Sequence, residues 1–381
     1  MAYGVKSTVD LVKYAKEKNA SIVDLRSDTI SRLSPGMRKA MFEAEVGDDV
    51  FGDDPTVKLL EEKIAKMLGK EAAIFVTSGT MSNLIAVLNH CEERGSEAYC
   101  GESSHIVLHE QGGAAQLGGV SLCPIPNEPD GTYSLRKLES KLKSNWLHEP
   151  VSKLVCAENT ITGRVLPQAW VDQLIALARR HGLKLHLDGA RIWNAAAASG
   201  RSVQELAQGF DSVSVCLSKG LGAPVGSLLC ASREFIHKAR RTRKVLGGGM
   251  RQVGVLAAAG LQALVEVLPV LHLDHRRARE IAEAVNAIGS ENFEVDMGIS
   301  TTNMVLVQSK TGMVTRLVTR LQEVWRDEEP DDRIIVRGMA LTDCLARFVI
   351  YYEVTDDMVR DAVKKINLVI REIDAEVQRE S

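Results

Sequence analysis

The segments KLHLDGARIWN (184–194) and SVSVCLSKGLGAPVG (212–226) decide how this chain folds. Each opens with a short apolar run and then breaks into small residues. The first run ends on Asp188. The second is followed by Lys219, set in a Ser-Lys-Gly-Leu-Gly turn. KLVCAE (153–158) has the same form, ends on Glu158, and precedes a helical pattern from Pro167 to His181. That helix carries strong boundary signals: proline in its first turn, Arg179, Arg180 and His181 in its last, and Gly182 beyond. AIFV (73–76) precedes a helix with Met81, Leu84, Ile85, Leu88 and Cys91 on one face, and GSLLCA (226–231) completes the strand set. Strands alternating with helices predict an α/β fold with a mostly parallel sheet covered on both faces. In such sheets ligands bind beyond the carboxyl ends of the strands. Glu158, Asp188 and Lys219 each stand at or just past such an end, so three separate segments direct their chemistry to one edge.

At 381 residues the natural expectation is two domains. Residues 232–290 read as long helices interrupted by Gly247-Gly248-Gly249 and Pro269. Residues 300–381 read as a smaller α+β unit with strands at MVLV (304–307), RIIVR (333–337) and RFVIYY (347–352), closed by a helix that starts after Thr355. A net charge of −3 leaves no basic field for nucleic acid. No apolar run reaches the roughly 20 residues of a membrane span; the closest, Val253–Leu268, reads as a buried helix. The first 20 residues lack the apolar core of a signal peptide, and Asp10 and Glu17 argue against a transit peptide. Seven cysteines without a CxxC pair fit buried thiols in a reduced, cytoplasmic protein.

A lone loop lysine is ordinarily solvated, but Lys219 follows an apolar strand and is flanked by Ser218, Gly220 and Gly222, which permit close approach of a ligand. Asp188 suits a helix N-cap, and it equally suits a salt bridge to a cationic ring nitrogen, worth about 4 kcal/mol at ~4 Å and an effective dielectric of ~20. Lysine and carboxylate so placed are what pyridoxal phosphate requires, the amine for a Schiff base and the acid to keep the pyridine nitrogen protonated. Ser78-Gly79-Thr80 open a helix, and the sequence leaves plain capping and phosphate binding both open. His105 in SSHIVLHEQGG is either a structural histidine or one stacked on the ring. Arg191, three residues after Asp188, is expected one helical turn away, to pair with it or to meet a substrate carboxylate. Asp53-Asp54 reads as a solvated turn, and no metal site is expected.

Together these segments resemble the low-specificity L-threonine aldolase family, pyridoxal phosphate enzymes of fold type I. The strings that carry the resemblance are VDLRSDTIS (23–31), GDDVFGDDPTV (47–57), FVTSGTMSNL (75–84), SSHIVLHEQGGAA (103–115), HLDGARIWNA (186–195), CLSKGLGAPVGS (216–227) and LGGGMRQVGVLAAAG (246–260). The resemblance implies an extension over residues 1–22, a large cofactor-binding domain over 23–270 and a small α+β domain over 271–381. It implies Lys219 as Schiff-base lysine, Asp188 as partner of the pyridinium and His105 as the ring-stacking histidine. Ser78, Gly79 and Thr80 look like the phosphate site, with Arg243 donated toward it across a subunit interface. Ser27, Arg191 and Arg347 look like the substrate-carboxylate group, and His148 like a second histidine near the β-hydroxyl. The implied reaction is retro-aldol cleavage of a β-hydroxy-α-amino acid, L-threonine or L-allo-threonine, to glycine and acetaldehyde. His105, His148 or a held water would serve as base. A homodimer or homotetramer with shared sites is implied, with no nucleic-acid or membrane partner. The acid–lysine pair alone leaves open a β-eliminating lyase, an aminotransferase, or a cofactor-binding protein without catalysis.

Overall fold

A computed structural model describes residues 8–144, 146–325, 328–330 and 333–380. The chain forms two compact units, one contiguous over Ser31–Leu271 and the other discontinuous, Met1–Ile30 with His272–Ser381. Residues 23–30, expected in the large domain, therefore go with the smaller unit. The reason is strand pairing: β1 (Ser21–Asp24) runs parallel to β11 (Ile334–Arg337), and Val23 and Leu25 are buried in that unit's core. Of the expected N-terminal extension, residues 1–7 lie outside the described residues.

The large unit is built on a seven-stranded sheet of β2 (Ala72–Val76), β3 (Ser96–Gly101), β4 (Ser121–Ile125), β5 (Val151–Glu158), β6 (Lys184–Gly189), β7 (Ser212–Cys216) and β8 (Ser227–Ala231), in the order β2-β8-β7-β6-β5-β3-β4. β8 is antiparallel to both neighbours, and the other registered pairs are parallel. Loop length explains the reversal. Residues 217–226 are too few for a crossover, which takes a dozen or more. They turn back instead, closed by Leu217 N–H donating to the Gly226 carbonyl at 3.0 Å. Gly226 has φ +110°, and a Cβ there would lie 2.6 Å from the Phe75 ring, so the return needs glycine.

The helix after β2, Gly79–His90, differs in its packing from the expected apolar stripe. Met81, Leu84 and Leu88 are only half-buried, whereas Ser82, Asn83, Ile85, Ala86 and Val87 are buried. The covered surface of this helix thus carries a polar pair, of which Asn83 finds side-chain partners and the Ser82 hydroxyl does not. Asp54, expected in a solvated turn, is buried as the N-cap of helix Pro55–Met67. Its carboxylate accepts from the N–H groups of Gly47, Thr56, Val57 and Gly254. Helix Gly254–Glu266 packs on helices Pro35–Glu43 and Pro55–Met67 through Ala257, Gly260 and Ala263. The longer stretch Gly254–Ala287 is long and apolar enough to cross a membrane by length and composition alone, and half of its most apolar part is buried inside the protein.

The smaller unit holds a four-stranded antiparallel sheet of β9 (Phe293–Val295), β10 (Met304–Ser309), β12 (Met339–Thr342) and β13 (Leu345–Val349), ordered β12-β13-β10-β9. RIIVR is a strand as expected, but it pairs with β1 rather than joining this sheet. RFVIYY leaves the sheet after Val349. Helix Asp356–Glu380 packs Val359, Ile366, Ile370 and Ile373 against Val305, Val307 and Phe348. Helix Thr8–Lys18 buries Leu11 and Ala15 with Val324 and Ile335.

Candidate active site

Sheet direction gathers the chemistry of the large unit. Val76, Cys216 and the start of β8 at Ser227 are registered together, and so are Glu158 and Asp188. Ser78-Gly79-Thr80, His105, Glu158, Asp188 and Lys219 therefore all lie at or beyond one edge of the sheet.

Asp188 is buried, the penultimate residue of β6. It is not a helix N-cap: the next helix, Ile192–Ser199, begins four residues later with Arg191 at its cap position. Arg191 is consequently not one helical turn from Asp188, because extended backbone and a turn separate them. The Asp188 carboxylate instead accepts from Ala190 N–H at 3.0 Å on Oδ1 and from Asn83 Nδ2 at 2.7 Å on Oδ2. Two donors fix it and leave it lone pairs for a further one.

His105 opens the short helix His105–Leu108, and its N–H donates to Glu158 Oε2 at 2.8 Å. Its ring Nδ1 lies 2.8 Å from Glu110 Oε1, which also accepts from Asn83 Nδ2 at 2.9 Å. An ionised Glu110 can only accept, so Nδ1 carries the proton and Nε2 remains the second titrating nitrogen. The Glu110 hydrogen bond raises the His105 pKa, and burial raises that of Glu110. Burial, and then the Asp188 charge, push the Glu158 carboxyl up to about 7. His105, Glu110 and Asp188 bring potential metal ligands within 4.8 Å of one another. Those atoms are already joined by the hydrogen bonds just described, so the cluster is a closed polar network.

Lys219 lies three residues past β7, half-buried, and makes no hydrogen bond or ion pair through its side chain among the described residues. Its charge acts on His105, Glu158 and Cys216. The Trp193 indole N–H donates to the Cys216 carbonyl at 3.3 Å and ties the helix after β6 to the strand that carries the lysine. Ser78 caps helix Gly79–His90, its Oγ accepting from Met81 N–H at 3.1 Å. The first-turn amides of such a helix form an anion site. A Cβ on Gly79 would stand 3.0 Å from Cys216 Sγ, so the backbone there is as close to β7 as a glycine allows. A buried acid with spare lone pairs, an amine without an ion pair and an open helix start fit the ring nitrogen, the aldehyde and the phosphate of pyridoxal phosphate.

Two of the expected site residues do not join this group. His148 is exposed in the loop that precedes β5, before its first residue, whereas Glu158 ends that strand. Eight strand residues at ~3.3 Å each place it more than about 20 Å from the site edge within one chain. The spacing from the motifs could not show that, because the family match fixes a position in sequence and not an edge of the sheet. Arg243 is buried and turned inward, donating to the Phe75 carbonyl and to Asp49, each at 2.6 Å. Within the chain this guanidinium is thus spent on a buried ion pair and a backbone carbonyl, and breaking such a pair is costly.

Ser27 and Arg347 belong to the smaller unit, where they are brought together. Arg347 projects from β13 and donates to the Arg26 carbonyl at 3.2 Å, one residue before Ser27. The Ser27 hydroxyl accepts from Thr29. Sequence reading missed Asn83, Glu110 and His186. The available signal was a polar residue inside an apolar pattern, His186 in KLHLD and Asn83 in MSNLIAVL.

The sequence pattern of the beta-eliminating lyase family matches residues 24–310. A probable low-specificity L-threonine aldolase 2 of Arabidopsis thaliana is 52% identical over 290 residues, 75% of this chain and 81% of that protein. Among solved structures, a putative L-allo-threonine aldolase of Listeria monocytogenes superposes with a TM-score of 0.74 at 20% identity, over 94% of this chain and 99% of its own. A structure of SPT with pyridoxal phosphate superposes with a TM-score of 0.68 at 19% identity, over 92% of this chain and 88% of its own. The fold is thus the one seen in that cofactor-bound protein. With the sequence match over most of its length, the chain belongs to the beta-eliminating lyase family, among the low-specificity L-threonine aldolases.

Proposed function

We propose that the protein is an aldehyde-lyase that cleaves L-threonine or L-allo-threonine to glycine and acetaldehyde with pyridoxal phosphate. The observation that carries this reading is the buried Asp188 carboxylate, fixed by two donors with acceptor capacity left, on the same sheet edge as Lys219. Bound pyridoxal phosphate supplies the electron sink for the pair left when Cα–Cβ breaks. Asp188 holds the proton on the ring nitrogen. Lys219 would provide the amine that holds the cofactor aldehyde. Ser78, Gly79 and Thr80 hold the phosphate at the helix start.

His105 would face the cofactor ring, its Nδ1 proton fixed by Glu110. Its Nε2, or a water held by it, takes the β-hydroxyl proton. That proton balances the one Cα gains as glycine forms. Ser27, Arg191 and Arg347 would serve the substrate carboxylate, whose placement decides which Cα bond breaks. A homo-oligomer accords with the exposed Phe42, Phe51 and Val245. A cytoplasmic location accords with seven free cysteines.

The test is to supply the purified protein with pyridoxal phosphate and L-threonine and to measure products. Glycine and acetaldehyde in equal amounts are expected. Ammonia and a 2-oxo acid would identify a β-elimination instead and overturn the reading.

A further inference from the structure

Behind the site edge, a line of buried polar groups runs through the sheet. His90 Nε2 lies 2.8 Å from Ser212 Oγ, Ser212 Oγ lies 2.8 Å from His186 Nδ1, and His186 Nε2 lies 3.1 Å from Asn83 Oδ1. The Asn83 amide then donates one N–H to Asp188 and the other to Glu110. Asn83, His186 and Ser212 are buried to within 1% exposure.

Proton bookkeeping admits one arrangement. Both Asn83 N–H groups are committed to carboxylates, so its Oδ1 must accept, and His186 Nε2 must carry the hydrogen. His186 Nδ1 then accepts from the Ser212 hydroxyl, and Ser212 in turn accepts from His90 Nε2–H. Burial lowers the His186 pKa to about 4 and that of His90 to about 3, so both rings are neutral, as this pattern requires. Every donor in the line points toward Asp188 and Glu110, and hydrogen bonds in series polarise one another.

We propose that Asn83 is a positioning residue of the active site, and that His186 fixes its amide so that one side chain aligns both Asp188 and the Glu110–His105 pair. The inference rests on the cofactor reading above. The titratable groups that touch Asn83 are Asp188 and His186 of β6 and Glu110 after β3; His105, Glu158 and Lys219 interact electrostatically within the same cluster, and His90 on its own helix joins through Ser212. A flipped amide would set an N–H against His186 Nε2–H and its oxygen against the carboxylates, and a missing one would leave both carboxylates short of a donor.

The experiment compares Asn83→Leu, His186→Leu and His186→Gln with the parent full-length protein. Cofactor Kd is measured by equilibrium dialysis and the visible band of the loaded protein is titrated with pH. Asn83→Leu is expected to weaken cofactor binding about ten- to a hundredfold, the effect of removing a hydrogen bond to a charged group. It is also expected to move the pH midpoint of the band by about one unit. His186→Leu should do the same to a smaller extent. His186→Gln, which keeps an N–H near the Nε2 position, should stay close to the parent. A parental Kd and midpoint in Asn83→Leu overturn the proposal, as does a lowered melting temperature with neither quantity moved. If Asn83→Leu does not fold, equal behaviour of the two His186 variants overturns it. A parent that takes up no cofactor overturns the functional reading and this inference together. A loaded parent with unresponsive variants overturns this inference alone.

Discussion

Glu158 and Asp188 stand opposite each other as the last registered pair of β5 and β6, two carboxyl groups side by side at the sheet edge that carries the site. They do not share one character. Asp188 is held by two N–H donors, whereas Glu158 accepts a single backbone N–H and its carboxyl is pushed up to about 7. Burial, and then the neighbouring carboxylate, is what raises the Glu158 value.

Glu158→Gln should stabilise the cofactor-free protein, increasingly so as pH rises. The parent's folded pKa lies above the usual carboxyl value. The folded state therefore holds a proton that the unfolded state has lost between about pH 4.5 and 7, and stability falls across that window. The amide has no proton to lose and still accepts from His105 N–H. Thermal melts should show parity at pH 4 and an advantage of about 1–3 kcal/mol at pH 8. An advantage that shrinks with rising pH would contradict the assignment.

Lys219→Ala should abolish turnover of L-threonine and the visible band of the bound cofactor. The fold should be unaltered by circular dichroism, because the side chain makes no ion pair among the described residues. Turnover at the parental rate without added amine would exclude the lysine as the anchoring group.

Gly79→Ala should loosen the helix start. The added methyl would meet Cys216 Sγ at 3.0 Å, and the strand end behind that sulfur gives little. A loss of about 1–3 kcal/mol in stability and weaker cofactor binding are expected. Adding Cys216→Ala removes the obstructing sulfur and should recover part of both. A double variant no better than the single one would place the cause elsewhere.

Arg347→Ala should raise KM for L-threonine about tenfold or more, the effect of losing one charge-assisted contact to a carboxylate. Cofactor affinity should be unchanged. Steady-state kinetics beside dialysis separates the two, and an unmoved KM would remove Arg347 from the substrate group.

The parts of this chain legible from sequence were those in which pattern and environment agree. β2, β5, β6, β7 and β8 are apolar runs in apolar surroundings, and the turn residues that end them mark the functional edge. β3 (SEAYCG) was overlooked because it carries Glu97 in a strand that is buried throughout. The acid is tolerated there because the Tyr99 hydroxyl donates to it at 2.6 Å, a cross-residue arrangement that composition does not encode. Asn83 was hidden for a similar reason. A polar residue on a helix looks solvated until the strand behind it is known to present His186. His148 shows what motif order leaves out within one chain. Its place in the motif order was real, but the path of β5 carries it to the far end of the sheet.

The pairing of β1 with β11 has a consequence for biosynthesis. Val23 and Val336 are register partners separated by 313 residues. The large unit is a single stretch of chain and can close as soon as it has emerged from the ribosome. β1 cannot, since its only registered partner among the described residues is made near the end. At about 5–20 residues per second the interval is roughly 16–63 s. Through that time the first strand, with Val23 and Leu25 uncovered, is an unmatched apolar segment in need of shelter. The last step in forming the native molecule is thus the return of its oldest residues to its newest ones, and truncation near the C-terminus should strand the N-terminus as well.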